Sequence, residues 1–212
     1  PDVEPLAEQG LLAMSFVNSR AFVAPAGGTK RLYGTNPMSF ACPRLDGGAP
    51  MIWDQASSAS ARGEIMIAAR DGHSVPEGFG LGQDGEATTD PNEVLKGVQL
   101  AFGGYKGAAI AMMVEILAAG LSGSQFSFEA DAEYAGHGGP SHAGHLVIAM
   151  DPAKFGAESF LTRIETLFAM ILDDGDARLP GDRRLSNRAR IPSEGAVLPA
   201  KLVADVQAIA AG

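Results

Sequence analysis

Phe102-Gly103-Gly104-Tyr105-Lys106-Gly107, followed without a break by Ala-Ala-Ile-Ala-Met-Met-Val-Glu-Ile-Leu at 108–117, is the stretch whose reading decides the fold. Over residues 107–121 the apolar side chains recur at helical spacing, and Gly123 follows the end of the run, where a glycine stop is expected. Two glycines ahead of a helix let the backbone bend sharply and approach a ligand closely. The helix start offers unpaired N–H groups and the positive end of its dipole, and Lys106 adds a full charge. Together these suit a phosphate group; the alternative is a tight loop with a solvated lysine. The stretch is not a G-x-G-x-x-G turn between a strand and a helix, so the doubly wound dinucleotide-binding sheet has no signature here.

Working outward, residues 2–10 read as a helix capped by Asp2 and ended by Gly10, and residues 11–18 as a strand. Residues 37–42 and 50–53 read as short strands joined by the Asp46-Gly47-Gly48 turn. Residues 56–69 are either helix or loop followed by helix. Residues 71–91 form a long polar stretch, predicted as a functional loop or a small hairpin turning at 83–88. Downstream, residues 146–150 predict a buried strand, and 155–172 an amphipathic helix with Phe160, Ile164, Leu167, Phe168 and Ile171 on one face. Residues 180–192 are predicted basic and irregular, and 201–211 a terminal helix. Strands and helices mix without a βαβ rhythm, which argues for a mixed α/β fold other than the doubly wound sheet.

The 212 residues carry 16 Lys and Arg against 25 Asp and Glu, a net charge of −9, which makes nucleic acid a poor partner. Arg183, Arg184, Arg188 and Arg190 stand out from this background as a local basic cluster able to meet an anionic cofactor. No apolar run reaches the length of a membrane span, and no signal peptide is visible. The lone Cys42 reads as a small core residue, and a single cysteine favours a reducing, cytoplasmic setting.

Four further segments carry candidate chemistry. In Trp53-Asp54-Gln55-Ala56-Ser57-Ser58 a strand ends in an acid and small polar residues, suited to ribose or nicotinamide contacts or to capping the next helix. In Gly34-Thr35-Asn36-Pro37 the Thr35 hydroxyl could hold a substrate carboxylate, although turn chemistry alone accounts for the other residues. Glu64, beside Gly63, is either a surface residue or a carboxylate orienting a base. His73, His137, His142 and His145 read as solvated loop histidines rather than a metal site, since no carboxylate pair completes a ligand set.

In series, Gly34-Thr35-Asn36-Pro37-Met38-Ser39-Phe40, Trp53-Asp54-Gln55-Ala56-Ser57-Ser58-Ala59 and Phe102-Gly103-Gly104-Tyr105-Lys106-Gly107 leading into Met112-Met113-Val114-Glu115 resemble the malate/L-lactate dehydrogenase-like oxidoreductases across essentially the whole chain. The helix, with Phe126-Ser127-Phe128-Glu129 and Pro180-Gly181-Asp182-Arg183-Arg184, is most similar to the branch that reduces Δ1-piperideine-2-carboxylate and Δ1-pyrroline-2-carboxylate.

The resemblance implies a largely antiparallel sheet flanked by helices, a dimer, and reduction of a small cyclic imino acid by NADP(H), with NAD(H) as the alternative cofactor. It implies a central cofactor-binding domain over residues 1–150 and a C-terminal helical segment over 151–212 that returns to the cofactor site. Cofactor contacts are implied for Asp54, Gln55, Ala56, Tyr105 and Lys106. They are implied too for Gly181, Asp182, Arg183, Arg184, Leu185, Ser186 and Asn187. Thr35 is implied to contact substrate, and Glu64 to be the acid of a Ser–His–acid relay, where this branch carries Asp. The relay's Ser and proton-donating His are expected in a family segment preceding position 1. A 2-hydroxy acid dehydrogenase needs nearly the same site and is the rival activity; a catalytically silent homologue is the rival outside enzymology.

Overall fold

The structure, a computed structural model, describes residues 2–134, 142–156 and 159–211. The chain enters through α1 (Glu4–Glu8) and β1 (Leu12–Val17), then forms β2 (Met38–Cys42), β3 (Met51–Gln55) and α2 (Arg62–Asp71). A small lobe follows, with β4 (Gly80–Leu81), α3 (Pro91–Lys96) and β5 (Val98–Gln99). Next come α4 (Tyr105–Val114), which continues as a π-helix over Glu115–Gly120, then α5 (Ser127–Tyr134) and β6 (His145–Met150). The helices α6 (Phe160–Leu172), α7 (Asp182–Glu194) and α8 (Ala200–Ala211) close the chain.

The main sheet runs β3-β2-β1-β6 with every neighbouring pair antiparallel, so the fold is mixed α/β with an antiparallel sheet and no doubly wound core. Its two-residue alternation decides which helix covers which face. Met14, Phe16, Met38 and Trp53 pack with Val114 and Ala118 of the long helix. Leu12, Phe40, Cys42 and Met51 continue that apolar surface onto Phe160, Ile164, Phe168 and Ile171 of α6. The alternate residues Ala13, Ala41 and Ile52 meet Val3 and Ala7 at α1. Cys42 is buried, and desolvation pushes its thiol up to about 11.

Several expectations need correction. Asp2 does not cap α1: the N-cap is Val3, with no side-chain bond, and Pro5 sits in the first turn. The strand at 146–150 is not buried. An unbroken apolar run reads as a strand covered on both faces, but β6 is a sheet edge that pairs only with β1, and Val147 and Ile148 stay exposed. Leu167 falls on the flank of the α6 stripe and is 53% exposed. Residues 180–192, expected to be irregular, lie almost entirely within a 13-residue helix, α7. The Asp182 carboxylate accepts the Leu179 N–H at 2.9 Å and fixes the helix start, while Pro192 falls in the last turn, so the hydrogen bond it cannot donate is lost at the end of the helix rather than in its middle.

Within 71–91 the turn at 83–88 is present, with the Gly82 N–H donating to the Glu86 carbonyl at 2.8 Å. The helix α3 beyond it was not foreseen; Asp90 caps its start, and the Arg31 guanidinium donates to the carbonyls of Leu95, Lys96 and Gly97 at its end.

One clip holds α6 to the sheet. Arg44 donates to both Glu165 oxygens at 2.6 and 2.7 Å and lies over the Phe168 ring. The Arg44 hydrogen bonds hold the Glu165 carboxyl below the usual glutamate range. A depressed carboxylate contributes stability above its unfolded pKa and loses it as pH falls through the folded one. Glu165→Gln is therefore expected to cost about 1 kcal/mol at neutral pH. The deficit should shrink as pH falls below the glutamate range, as read by urea unfolding at a series of pH values.

Candidate active site

The turn before β2 is held more tightly than its exposure suggests. A Cβ on Gly34 would sit 2.4 Å from Ser19 Oγ and 2.8 Å from Ser19 N, so only glycine passes there. Asn36 has φ 41°, a left-handed conformation that Asn tolerates better than most residues, and its amide donates to the Ala111 carbonyl at 2.9 Å. Between them Thr35 is half-buried, and its hydroxyl has no protein partner among the described residues.

Ser57 ties this turn to the end of β3. Its N–H donates to the Thr35 carbonyl and its hydroxyl to the Asn36 carbonyl, both at 2.7 Å. Its own carbonyl accepts the Phe102 N–H at 3.1 Å, and the Ala59 N–H donates to Leu100 at 2.8 Å. The substrate-turn candidate, the β3 end and the glycine loop are thus joined by backbone hydrogen bonds.

In that loop Gly103 and Gly104 have φ 56° and 62°, and the backbone reverses straight into α4. Tyr105 and Lys106 form the first turn, both exposed, and Lys106 has no ion pair among the described residues. Gly103, Gly104 and Tyr105 wall a concavity of about 610 Å³, faced by Pro25, Gly27 and Phe79. Space, free N–H groups and a spare cation at one helix start fit a phosphate-bearing cofactor.

At the other side of the β3 end, Arg184 of α7 donates to Asp54 Oδ2 at 2.7 Å. Asp54 is therefore no cap of the next helix, which begins at Arg62; it lies within β3. A second concavity of about 620 Å³ opens here, lined by Arg178, Pro180, Gly181, Arg183 and Arg184 among others. The basic cluster is less free than its sequence implies. Arg188 forks onto both Glu4 carboxylate oxygens and holds that carboxyl below its usual range, and Arg190 pairs with Glu194. Arg183 is exposed and unpaired among the described residues. Leu185, Ser186 and Asn187 follow on α7, with Asn187 engaged by Arg190.

Glu64 lies in the first turn of α2, exposed, with Oε2 accepting the Ser60 hydroxyl at 2.6 Å. Ser60 is in turn fixed through its carbonyl, which accepts from the buried Gln99 amide at 3.0 Å. Four polar residues without an individual role assigned from sequence lie about the site, Asn36, Ser57 and Glu115 inside the family motifs and Ser60 outside them. Each is buried, and a buried polar side chain in a turn or an apolar helix is the signal that could have found them.

The histidines among the described residues do not converge. His142 faces Glu133 at 3.5 Å, and His145, a strand residue rather than a loop one, meets Ser15 Oγ at 2.8 Å. His137 lies outside the described residues. Among the described residues no three His, Cys, Asp or Glu side chains gather as metal ligands, and no helix is long and apolar enough to cross a membrane.

The model of the malate/L-lactate dehydrogenase family matches residues 1–207. The chain belongs to that family. It is 48% identical over 201 residues to a Δ1-pyrroline-2-carboxylate/Δ1-piperideine-2-carboxylate reductase of Pseudomonas syringae pv. tomato, covering 93% of this chain and 58% of that protein. It is 43% identical over 208 residues to a (2R)-3-sulfolactate dehydrogenase (NADP(+)) of Chromohalobacter salexigens, covering 98% and 62%. Among solved structures, the crystal structure of Δ1-piperideine-2-carboxylate reductase from Pseudomonas syringae superposes with a TM-score of 0.89 at 45% identity, covering 98% of this chain and 62% of that one. The chain thus spans about three-fifths of the length of these family members.

Proposed function

We propose that this protein reduces a small cyclic imino acid, Δ1-piperideine-2-carboxylate or Δ1-pyrroline-2-carboxylate, to L-pipecolate or L-proline with NADP(H). The observation that carries the reading is the continuous strip in which Ser57 joins the Thr35 turn to the glycine loop while Arg184 joins the β3 end to α7. Such a strip suits an extended cofactor laid beside a small substrate. Bound there, the cofactor supplies the hydride. Lys106 and the α4 start would hold a phosphate, and Asp54, Gln55 and Ala56 would contact the ribose or nicotinamide of the cofactor. Thr35, whose hydroxyl has no partner among the described residues, would offer it to the substrate carboxylate. Glu64, steadied by Ser60, fixes the histidine that protonates the product nitrogen. The exposed apolar residues Met112, Ile116 and Phe128 support a homodimer.

NADP(H) preference follows from charge. Asp54 alone would repel a 2′-phosphate, but Arg184 neutralises it, and Arg183 with Arg178 remains to meet the phosphate. Steady-state kinetics with both cofactors should give a higher kcat/KM with NADPH; an equal or higher value with NADH would remove this part of the reading.

A second reading, a dehydrogenase of 2-hydroxy acids, is favoured by the 43% identity to the sulfolactate enzyme. Side-by-side assays decide between them. The first reading expects turnover of Δ1-piperideine-2-carboxylate with NADPH to exceed oxidation of 3-sulfolactate, L-malate and L-lactate with NADP+ or NAD+.

A further inference from the structure

Glu115 is 5% exposed and sits where α4 widens into the π-helix, whose five-residue bonding shows in the Leu121 N–H donating to the Ile116 carbonyl at 2.8 Å. Such widenings recur at functional sites. Five donors from three other segments converge on its carboxylate. Oε1 accepts from Asn36 Nδ2 at 2.8 Å, from the Gly34 N–H at 3.4 Å and from the Ser127 hydroxyl. Oε2 accepts from the Ser127 N–H at 3.0 Å and from Asn18 Nδ2 at 3.3 Å. None of the five donors is a cation. A buried carboxylate held by neutral donors alone is an expensive way to fill a core. An apolar residue would serve packing better, so the carboxylate points to a positioning task.

Two of the donors, Gly34 and Asn36, flank Thr35. The same helix begins ten residues earlier at the glycine loop, so one rigid rod of about 15 Å joins the phosphate end of the strip to the Thr35 turn. We propose that Glu115 is a positioning residue for substrate: it locks residues 34–36 in the left-handed turn that presents Thr35, and registers that turn against the helix anchoring the cofactor. The proposal rests on Thr35 being the substrate contact. Glu115 itself touches no substrate and carries no proton in the reaction.

Glu115→Gln turns an N–H donor toward donors and is expected to unlock the turn. Asn36→Gly is the second variant: glycine keeps the left-handed backbone freely but deletes the bond to Glu115. In the full-length enzyme each should raise substrate KM about tenfold or more, while cofactor KM stays within about twofold. In a Thr35→Ala background Glu115→Gln should add little, because both act through one contact. Full additivity in that background, or an equal rise in both KM values, would overturn the proposal and leave Glu115 a fold residue. Should Glu115→Gln fail to fold, Asn36→Gly carries the same comparison. If the wild type oxidises 2-hydroxy acids and ignores imino acids, the substrate reading fails on its own and the KM comparison is run on the hydroxy acid. Hydrogen exchange gives a readout independent of turnover: lost protection confined to residues 33–37 is expected in both variants, and unchanged protection there would refute the lock.

Discussion

Glu64→Gln is expected to lower kcat by about 10²-fold or more while leaving the cofactor KM near its wild-type value. The argument starts from how the carboxylate is held. Ser60 donates to one oxygen at 2.6 Å, and Ser60 is buried and anchored through Gln99, so Glu64 has a fixed azimuth on α2 although it is exposed. The other oxygen has no partner among the described residues. That is the arrangement needed to receive a ring N–H, set the tautomer of a histidine and stabilise its charged form. Gln at this position keeps the size but loses the charge, and can present its NH2 where an acceptor is needed. Glu64→Asp is the informative partner variant. It shortens the reach by one methylene and keeps the charge, so it should retain far more activity than Gln. The measurement is kcat against pH for all three proteins. A Glu64→Gln enzyme with unchanged kcat and unchanged pH profile would return Glu64 to the surface.

Much of the frame was legible because it rests on period and punctuation. The strands at 12–17, 38–42 and 51–55 have apolar residues alternating between two covered faces, and α6 shows its stripe at Phe160, Ile164 and Phe168. The glycine loop announced a helix start, since nothing but glycine explains two successive positive φ values before Tyr105. What stayed hidden depends on tertiary neighbours. Nothing local distinguishes a strand covered on both faces from an apolar edge strand such as β6. The prolines of 180–192 suggested irregular chain, yet α7 forms and docks through Arg184 to Asp54 and Arg188 to Glu4, partners 130 and 184 residues away in sequence. That docking also redefines the arginine cluster: four cations in the sequence become one exposed arginine, Arg183, unpaired among the described residues, beside three engaged ones. Glu115 shows the same limit. In the sequence it is an acid interrupting an apolar run; only the fold brings Asn18, Asn36 and Ser127 to it.

Lys106→Ala is expected to weaken cofactor binding by about 10- to 100-fold, the loss of one charge-assisted phosphate contact worth about 1.5–3 kcal/mol. The side chain is exposed in the first turn of α4, makes no ion pair among the described residues, and contributes nothing visible to packing. Its removal should therefore leave thermal stability within about 0.5 kcal/mol of wild type, as for most surface substitutions. The α4 start and the two glycines remain in the variant, so a weakened anion site should survive, and kcat at saturating cofactor should change little. Two controls separate this from a general loss of charge. Raising ionic strength should weaken the wild type toward the variant and affect the variant less, because the missing term is the screened one. Lys106→Arg should recover most of the affinity but not all, since the guanidinium fork presents its charge differently from a compact ammonium. The opposite pattern, a collapsed kcat with unchanged cofactor KM, would place Lys106 at the reacting centre and move the phosphate away from the glycine loop.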